Sequence, residues 1–105
     1  MAWVYLLLAG AFEIVWAFAL KASDGFARRG WVAVAAVGMT ISVVLLAVAM
    51  RALPLGTAYA VWTGIGAAGA AILGIVVLGE PATALRLASI LLICAGVAGL
   101  RIASG

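Results

Sequence analysis

Between Ala2 and Ile102 the chain consists of four apolar runs, each about twenty residues long, and its charges fall almost entirely at the joints between them. A chain built this way has few options. In hydrocarbon, every backbone N–H and C=O must be satisfied within its own segment or within a closed barrel, and runs of this length do so as α-helices. The sequence therefore predicts an all-α, four-transmembrane-helix integral membrane protein, organised as one domain over residues 1–105. The helices are expected over residues 2–20, 30–50, 57–78 and 84–102.

Composition agrees with that reading and excludes others. Hydrophobic residues make up 70% of the chain and charged residues only 9%, whereas a soluble domain carries about 25% charged residues. The net charge of +3 belongs to helix ends at lipid headgroups, and no Lys/Arg stripe with interleaved aromatics is present to track a nucleic acid backbone. There is no histidine and one cysteine, Cys94. Disulfide frameworks, zinc or iron–sulfur sites and histidine-assisted hydrolysis all lack their residues. No enzyme, metal or cofactor is expected, and Cys94 is read as a small buried hydrophobe.

The joints carry turn residues. Lys21-Ala22-Ser23-Asp24-Gly25-Phe26-Ala27-Arg28-Arg29 forms a polar loop with an Asp-Gly turn. Pro54 and Pro81 each stand shortly before a new helix, where a missing N–H costs little. Glu80 precedes the fourth helix, where a negative charge suits the helix dipole, so Glu80 and Asp24 are read as structural. The first run is not read as a signal peptide, since Glu13 interrupts it and Lys21 stands where a cleavage site would be.

With four spans, Lys21, Arg28, Arg29 and Arg86 share one side of the membrane, and Arg51 and Arg101 the other. This bias is weak by the positive-inside rule and permits insertion in either orientation. Many transporters obtain alternating access from inverted repeats within one chain. This chain has no convincing repeat, and the same symmetry is available from an antiparallel pair of identical chains.

Glu13 is the acid at membrane depth. A carboxylate there costs on the order of 3 kcal/mol on insertion scales, which makes it a functional-site candidate by default. Gly10, Glu13 and Ala17 share one face of the first helix, and Trp16 adjoins it. On the second helix Gly38, Met39, Ser42 and Leu46 make a stripe with one hydroxyl, that of Ser42; a hydrogen bond to its own helix backbone and a place in a site both stay open for it. In the third helix, Tyr59, Trp62, Gly66 and Gly69 lie on one face, and Gly66, Ala70 and Gly74 form a ladder for close packing. Trp62 lies too deep for an interface anchor, and its indole N–H calls for a partner such as a carboxylate. Trp3 and Trp31 begin helices and fit the aromatic belt.

No basic residue stands at Glu13's depth. A carboxylate without a basic partner is neutralised by a proton or by a cation, so one site can exchange the two. Aromatic faces add cation–π attraction, and a planar guanidinium suits bidentate contact with a carboxylate.

At these residues the chain resembles the small multidrug resistance family, and within it the guanidinium-exporting members. The resemblance rests on Glu13-Ile14-Val15-Trp16 with Leu20-Lys21 following, on Ser23-Asp24-Gly25-Phe26, and on the run from Leu53 to Ala67. Ala95-Gly96-Val97 and Glu80-Pro81 add to it. It implies an antiparallel homodimer in the bacterial inner membrane, exporting guanidinium-type cations in exchange for protons by alternating access. Glu13 would be the shared proton and substrate site. Trp16, Ser42, Tyr59 and Trp62 would line and orient it, and Gly10 would allow close approach beside it. The fourth helix would join the protomers. Val43 is smaller than the aromatic residue of some relatives, which would admit substituted guanidines. Two other functions remain open here: export of quaternary ammonium or other lipophilic cations, and a non-transporting membrane subunit or lipid-flipping helper.

Overall fold

The computed structural model describes residues 1–104. Four α-helices follow in order: α1 (Ala2–Ala22), α2 (Arg29–Ala49), α3 (Leu55–Val76) and α4 (Ala84–Ala103). All four are long and apolar enough to cross a membrane. The fold is all-α.

The joints show why the helices stop where they do. After α1, Asp24, Gly25 and Phe26 all take positive φ, at 52°, 65° and 70°. Ser23 holds this turn: its hydroxyl donates to the Leu20 carbonyl at 2.7 Å and accepts from the Phe26 N–H at 3.2 Å. The Ser23 side chain is buried and both hydrogen bonds satisfy it. Helix α3 begins at Leu55, directly after Pro54. It therefore takes in Gly56, which reads as a breaker in the sequence, because proline's fixed φ of −59° starts the helix at once. Beyond α3, Gly79 at φ 71° turns the chain so that the Glu80 N–H donates to the Gly74 carbonyl at 3.0 Å. Thr83 caps α4 by accepting from the Arg86 N–H at 3.2 Å. Glu80 thus stands outside the first turn of α4, and its carboxylate pairs with Arg86 at 3.1 Å instead of facing the helix amides.

Helix α1 is central, packed on α2 and α3, while α4 packs on α3. Close approach comes from small residues. Gly69 faces Ile14, Gly38 faces Trp16, and Gly64 faces Val97. A core of Leu6, Ala9, Leu46, Ala49, Ala58 and Val61 ties α1, α2 and α3 together at one end. Beside it, the Arg101 guanidinium lies over the Trp3 ring at 4.9 Å.

The result is a slab with extents of 42 × 34 × 16 Å. Helix α4 turns only a narrow stripe inward, Ile90, Ile93, Val97 and Leu100. Its outer face is exposed, and a side chain added at Gly96 or Gly99 would meet nothing within 4 Å. Cys94 is exposed on this helix and is not the buried hydrophobe its apolar setting suggests. The reason is that the whole helix is apolar, so sequence alone does not separate its protein-facing stripe from its lipid-facing one.

Candidate functional site

Helix α1 presents Glu13 to α3, where the chain has Gly66. The carboxylate occupies the space a side chain at Gly66 would fill: a Cβ built there meets Glu13 Oε2, with Cδ at 2.6 Å. Glu13 Oε2 is buried and has no hydrogen-bond partner. One turn on, Trp16 packs its backbone and Cβ on Gly38 of α2, and its indole Nε1 is likewise buried without a partner. A bare acceptor and a bare donor therefore lie one turn apart on α1. In a folded interior such groups are nearly always paired, so this pair is chemically unfinished and suited to a small polar ligand.

The Ser42 hydroxyl lies at the junction of three helices. Fully buried on α2, it donates to the Ala9 carbonyl of α1 at 2.6 Å and accepts the Trp62 indole N–H of α3 at 2.9 Å. The sequence left the partner of Ser42 open and offered a carboxylate as one for Trp62. Ser42 bonds to the neighbouring helix and not to its own backbone, because the small faces of α1 and α2 bring the Ala9 carbonyl within reach. Trp62 finds this hydroxyl, and not the Glu13 carboxylate, as its partner. In an α-helix the Ala9 carbonyl also receives the amide N–H four residues on, which belongs to Glu13. The knot therefore fixes the turn of α1 that carries the acid, while the carboxylate itself stays free.

Tyr59 stacks on Trp62 with ring centroids 5.6 Å apart and planes at 51°. It is 54% exposed, so it forms the outer edge of the aromatic pair. Gly10 is buried against Ile65 of α3, one turn before Glu13. The structure thus gathers the six candidates in two groups along α1. Glu13, Trp16 and Gly10 lie on the helix itself; Ser42 of α2 bonds its Ala9 carbonyl, and Trp62 of α3 joins through Ser42 with Tyr59 against its ring. Gly66, Ala9 and Ile65 were not singled out as neighbours of the acid by the sequence. Gly66 carried a legible signal, being four residues beyond Trp62 on the same face, but which helix it faced was not written there.

The sequence profile described as Small Multidrug Resistance protein matches residues 1–93. The chain belongs to the small multidrug resistance family. Among its relatives, the guanidinium exporter of Yersinia pseudotuberculosis serotype I (strain IP32953) is 57% identical over 104 residues, covering 99% of this chain and 100% of the relative. The guanidinium exporter of Escherichia coli (strain K12) is 53% identical over 104 residues, covering 99% of each. As a small multidrug resistance protein with four membrane-length helices and such bacterial relatives, it is a multi-pass inner-membrane protein.

Proposed function

We propose that this small multidrug resistance protein exports guanidinium and small substituted guanidinium cations in exchange for protons, with Glu13 as the shared site. It is a transporter and not an enzyme. The observation that carries the reading is the buried, unpartnered Oε2 of Glu13 in a protein whose relatives are named guanidinium exporters.

The chemistry follows from the donors and acceptors. A deprotonated Glu13 offers two oxygens, which a planar guanidinium engages with two parallel N–H donors. The Trp16 indole N–H, also unpartnered, is a donor that steadies the carboxylate as it changes partner. Tyr59 and Trp62 offer ring faces to the cation, and Ser42 holds the α1 turn in register. A proton reaching Glu13 from the far side removes its charge and releases the cation. Proton and cation then alternate on one carboxylate, and that alternation is the coupling.

The unit is an antiparallel homodimer in which two copies of Glu13 face one shared site. A single protomer is a slab only 16 Å thick, with the outer face of α4 open at Gly96 and Gly99. Small residues there suit a close helix–helix contact with a second copy. Val43 is 48% exposed on α2, away from that helix's buried stripe. Its modest size leaves room for an alkyl substituent on the cation.

The test is electrical. In proteoliposomes, guanidinium and alkylguanidines should evoke currents that Glu13→Gln abolishes. Currents with quaternary ammonium ions and none with guanidinium would overturn the substrate assignment. Guanidinium currents untouched by Glu13→Gln would overturn the site, and no current with either class of cation would favour a non-transporting role.

A further inference from the structure

Two carboxylates of this chain sit on the same small-residue ladder of α3. Glu13 rests on Gly66, and Glu80 rests on Gly74, where an added Cβ would meet Glu80 Oε1, with Cδ at 2.7 Å. The two glycines are eight residues apart, two turns or about 12 Å along the helix. Between them Ala70 faces α1, where Ala17 stands one turn beyond Glu13. At the Glu80 end a cavity of about 180 Å³ opens between α1 and α3, lined by Ala17, Phe18, Lys21, Ala70, Gly74 and Glu80 among others. The C-terminal ends of α1 and α3 both point this way, and the negative end of a helix dipole favours cations.

The Glu80 carboxylate already holds a guanidinium group. Arg86 Nη2 donates to Glu80 Oε1 at 3.1 Å, and the neighbouring Arg86 Nε is buried without a partner. The ion pair is about 40% exposed, within reach of an incoming solute. The charged groups lining the cavity are Lys21 from α1 and Glu80 from the connection, and Arg86 of α4 joins them through its ion pair with Glu80. Without Glu80 this mouth would carry two positive charges and repel any cation.

We propose that Glu80 is a second, outer cation station on the transport route, where a guanidinium ion displaces the Arg86 side chain before or after its passage to Glu13. The station rests on the guanidinium reading above. In an antiparallel pair, one copy stands at each membrane surface, so the same device serves uptake and release. Glu80 here has a role in substrate affinity and is more than a tie between α3 and α4.

Guanidinium-evoked currents in proteoliposomes, measured across substrate concentration, test this. Glu80→Gln should raise KM about three- to fivefold, the scale of a partly exposed charge pair, and leave the maximal rate within about twofold. The rise should shrink at high salt. The double variant Glu80→Gln/Arg86→Gln should recover most of the lost affinity, because the repelling charge has gone with the attracting one. Gly74→Ala, whose new methyl displaces the carboxylate, should raise KM in the same direction. An unchanged KM in Glu80→Gln, or a double variant no better than the single one, would overturn the station. Wild-type currents with an unchanged Glu80→Gln would remove the station alone. A wild-type protein carrying no guanidinium current would remove the substrate reading and the station together.

Discussion

The Trp62 indole N–H donates to the Ser42 hydroxyl at 2.9 Å and leaves the Glu13 carboxylate alone. Ser42 has a single proton, which it gives to the Ala9 carbonyl at 2.6 Å. The hydroxyl is therefore committed, and the Glu13 carboxylate takes no part in the knot that fixes its helix. If Glu13 carries the exchange, positioning and chemistry belong to different groups.

Ser42→Ala should cost stability as well as transport. It leaves the Trp62 N–H without its acceptor and removes a link between α1 and α2. Hydrogen bonds between membrane helices contribute about 0.6 kcal/mol on average and up to about 1.7, and two are lost here. A loss of about 1–2 kcal/mol is expected in denaturant unfolding of the purified protein. Trp62→Phe, which removes only the donor, should cost less.

If proton and cation share Glu13, as proposed, their competition has a definite sign. The protonated carboxyl is neutral and holds no cation, so lowering pH must weaken apparent guanidinium affinity. Where the protonated form dominates, the weakening approaches tenfold per pH unit. Where the carboxylate dominates, affinity is flat. Binding titrations on purified protein between about pH 6 and 9 should show the slope, and Glu13→Gln should abolish it while the variant still assembles. A flat profile over that whole range would rule out one carboxylate serving both ions.

Two alanine substitutions beside the acid, Gly66 on the facing helix and Gly10 one turn before it on α1, should differ in kind. At Gly66 the added methyl meets the far end of a flexible side chain, the Glu13 carboxyl group. The fold can absorb it by moving the carboxylate, so Gly66→Ala should keep its stability within about 1 kcal/mol and lose transport at least about tenfold. At Gly10 the methyl meets Ile65 Cβ at 2.9 Å and Cγ2 at 2.7 Å, atoms held close to the α3 backbone. Overpacking of that kind costs about 1–3 kcal/mol, so Gly10→Ala should show first in unfolding curves. Equal stability losses in the two variants would show that Glu13 is as rigidly held as Ile65.

The architecture was legible because lipid imposes it: four apolar runs of spanning length admit little besides four helices. Glu13 stood out as a candidate for the same reason, and the structure leaves its Oε2 buried without a partner. Pairing between helices was not legible. Period and spacing place Ser42, Trp62 and Gly66 on faces of their own helices, but which faces meet depends on small-residue contacts such as Gly38 on Trp16 and Gly69 on Ile14. Hence the partner of Ser42 stayed open, and a carboxylate stood as a fitting one for Trp62. Glu80 misled in a similar way. Its place just before α4 suggested a helix-end charge, but Gly79 at φ 71° turns the chain back and lays the carboxylate on α3. Cys94 lies on a helix apolar all round, where burial cannot be read from pattern.

The same indifference of α4 to its surroundings supplies the sharpest test of assembly. Within one protomer Gly96 and Gly99 have open space beside them, whereas Gly64 is pressed by Val97 Cγ2, 2.6 Å from where its Cβ would be. A leucine at Gly96 therefore does nothing to the protomer's own packing, and one at Gly64 disrupts it. If the α4 face is the seam between two chains, Gly96→Leu should shift the purified protein from dimer to monomer in chemical crosslinking, with helix content unchanged. Transport should fall with the dimer, because a lone protomer cannot bring a second Glu13 to the site. Gly64→Leu should instead lower thermal stability. A Gly96→Leu protein that remained fully dimeric and active would move the seam to another face. Reporter fusions at the C-terminus add the orientation: roughly equal signal from both sides of the membrane is expected for an antiparallel pair, and a single uniform side would overturn it.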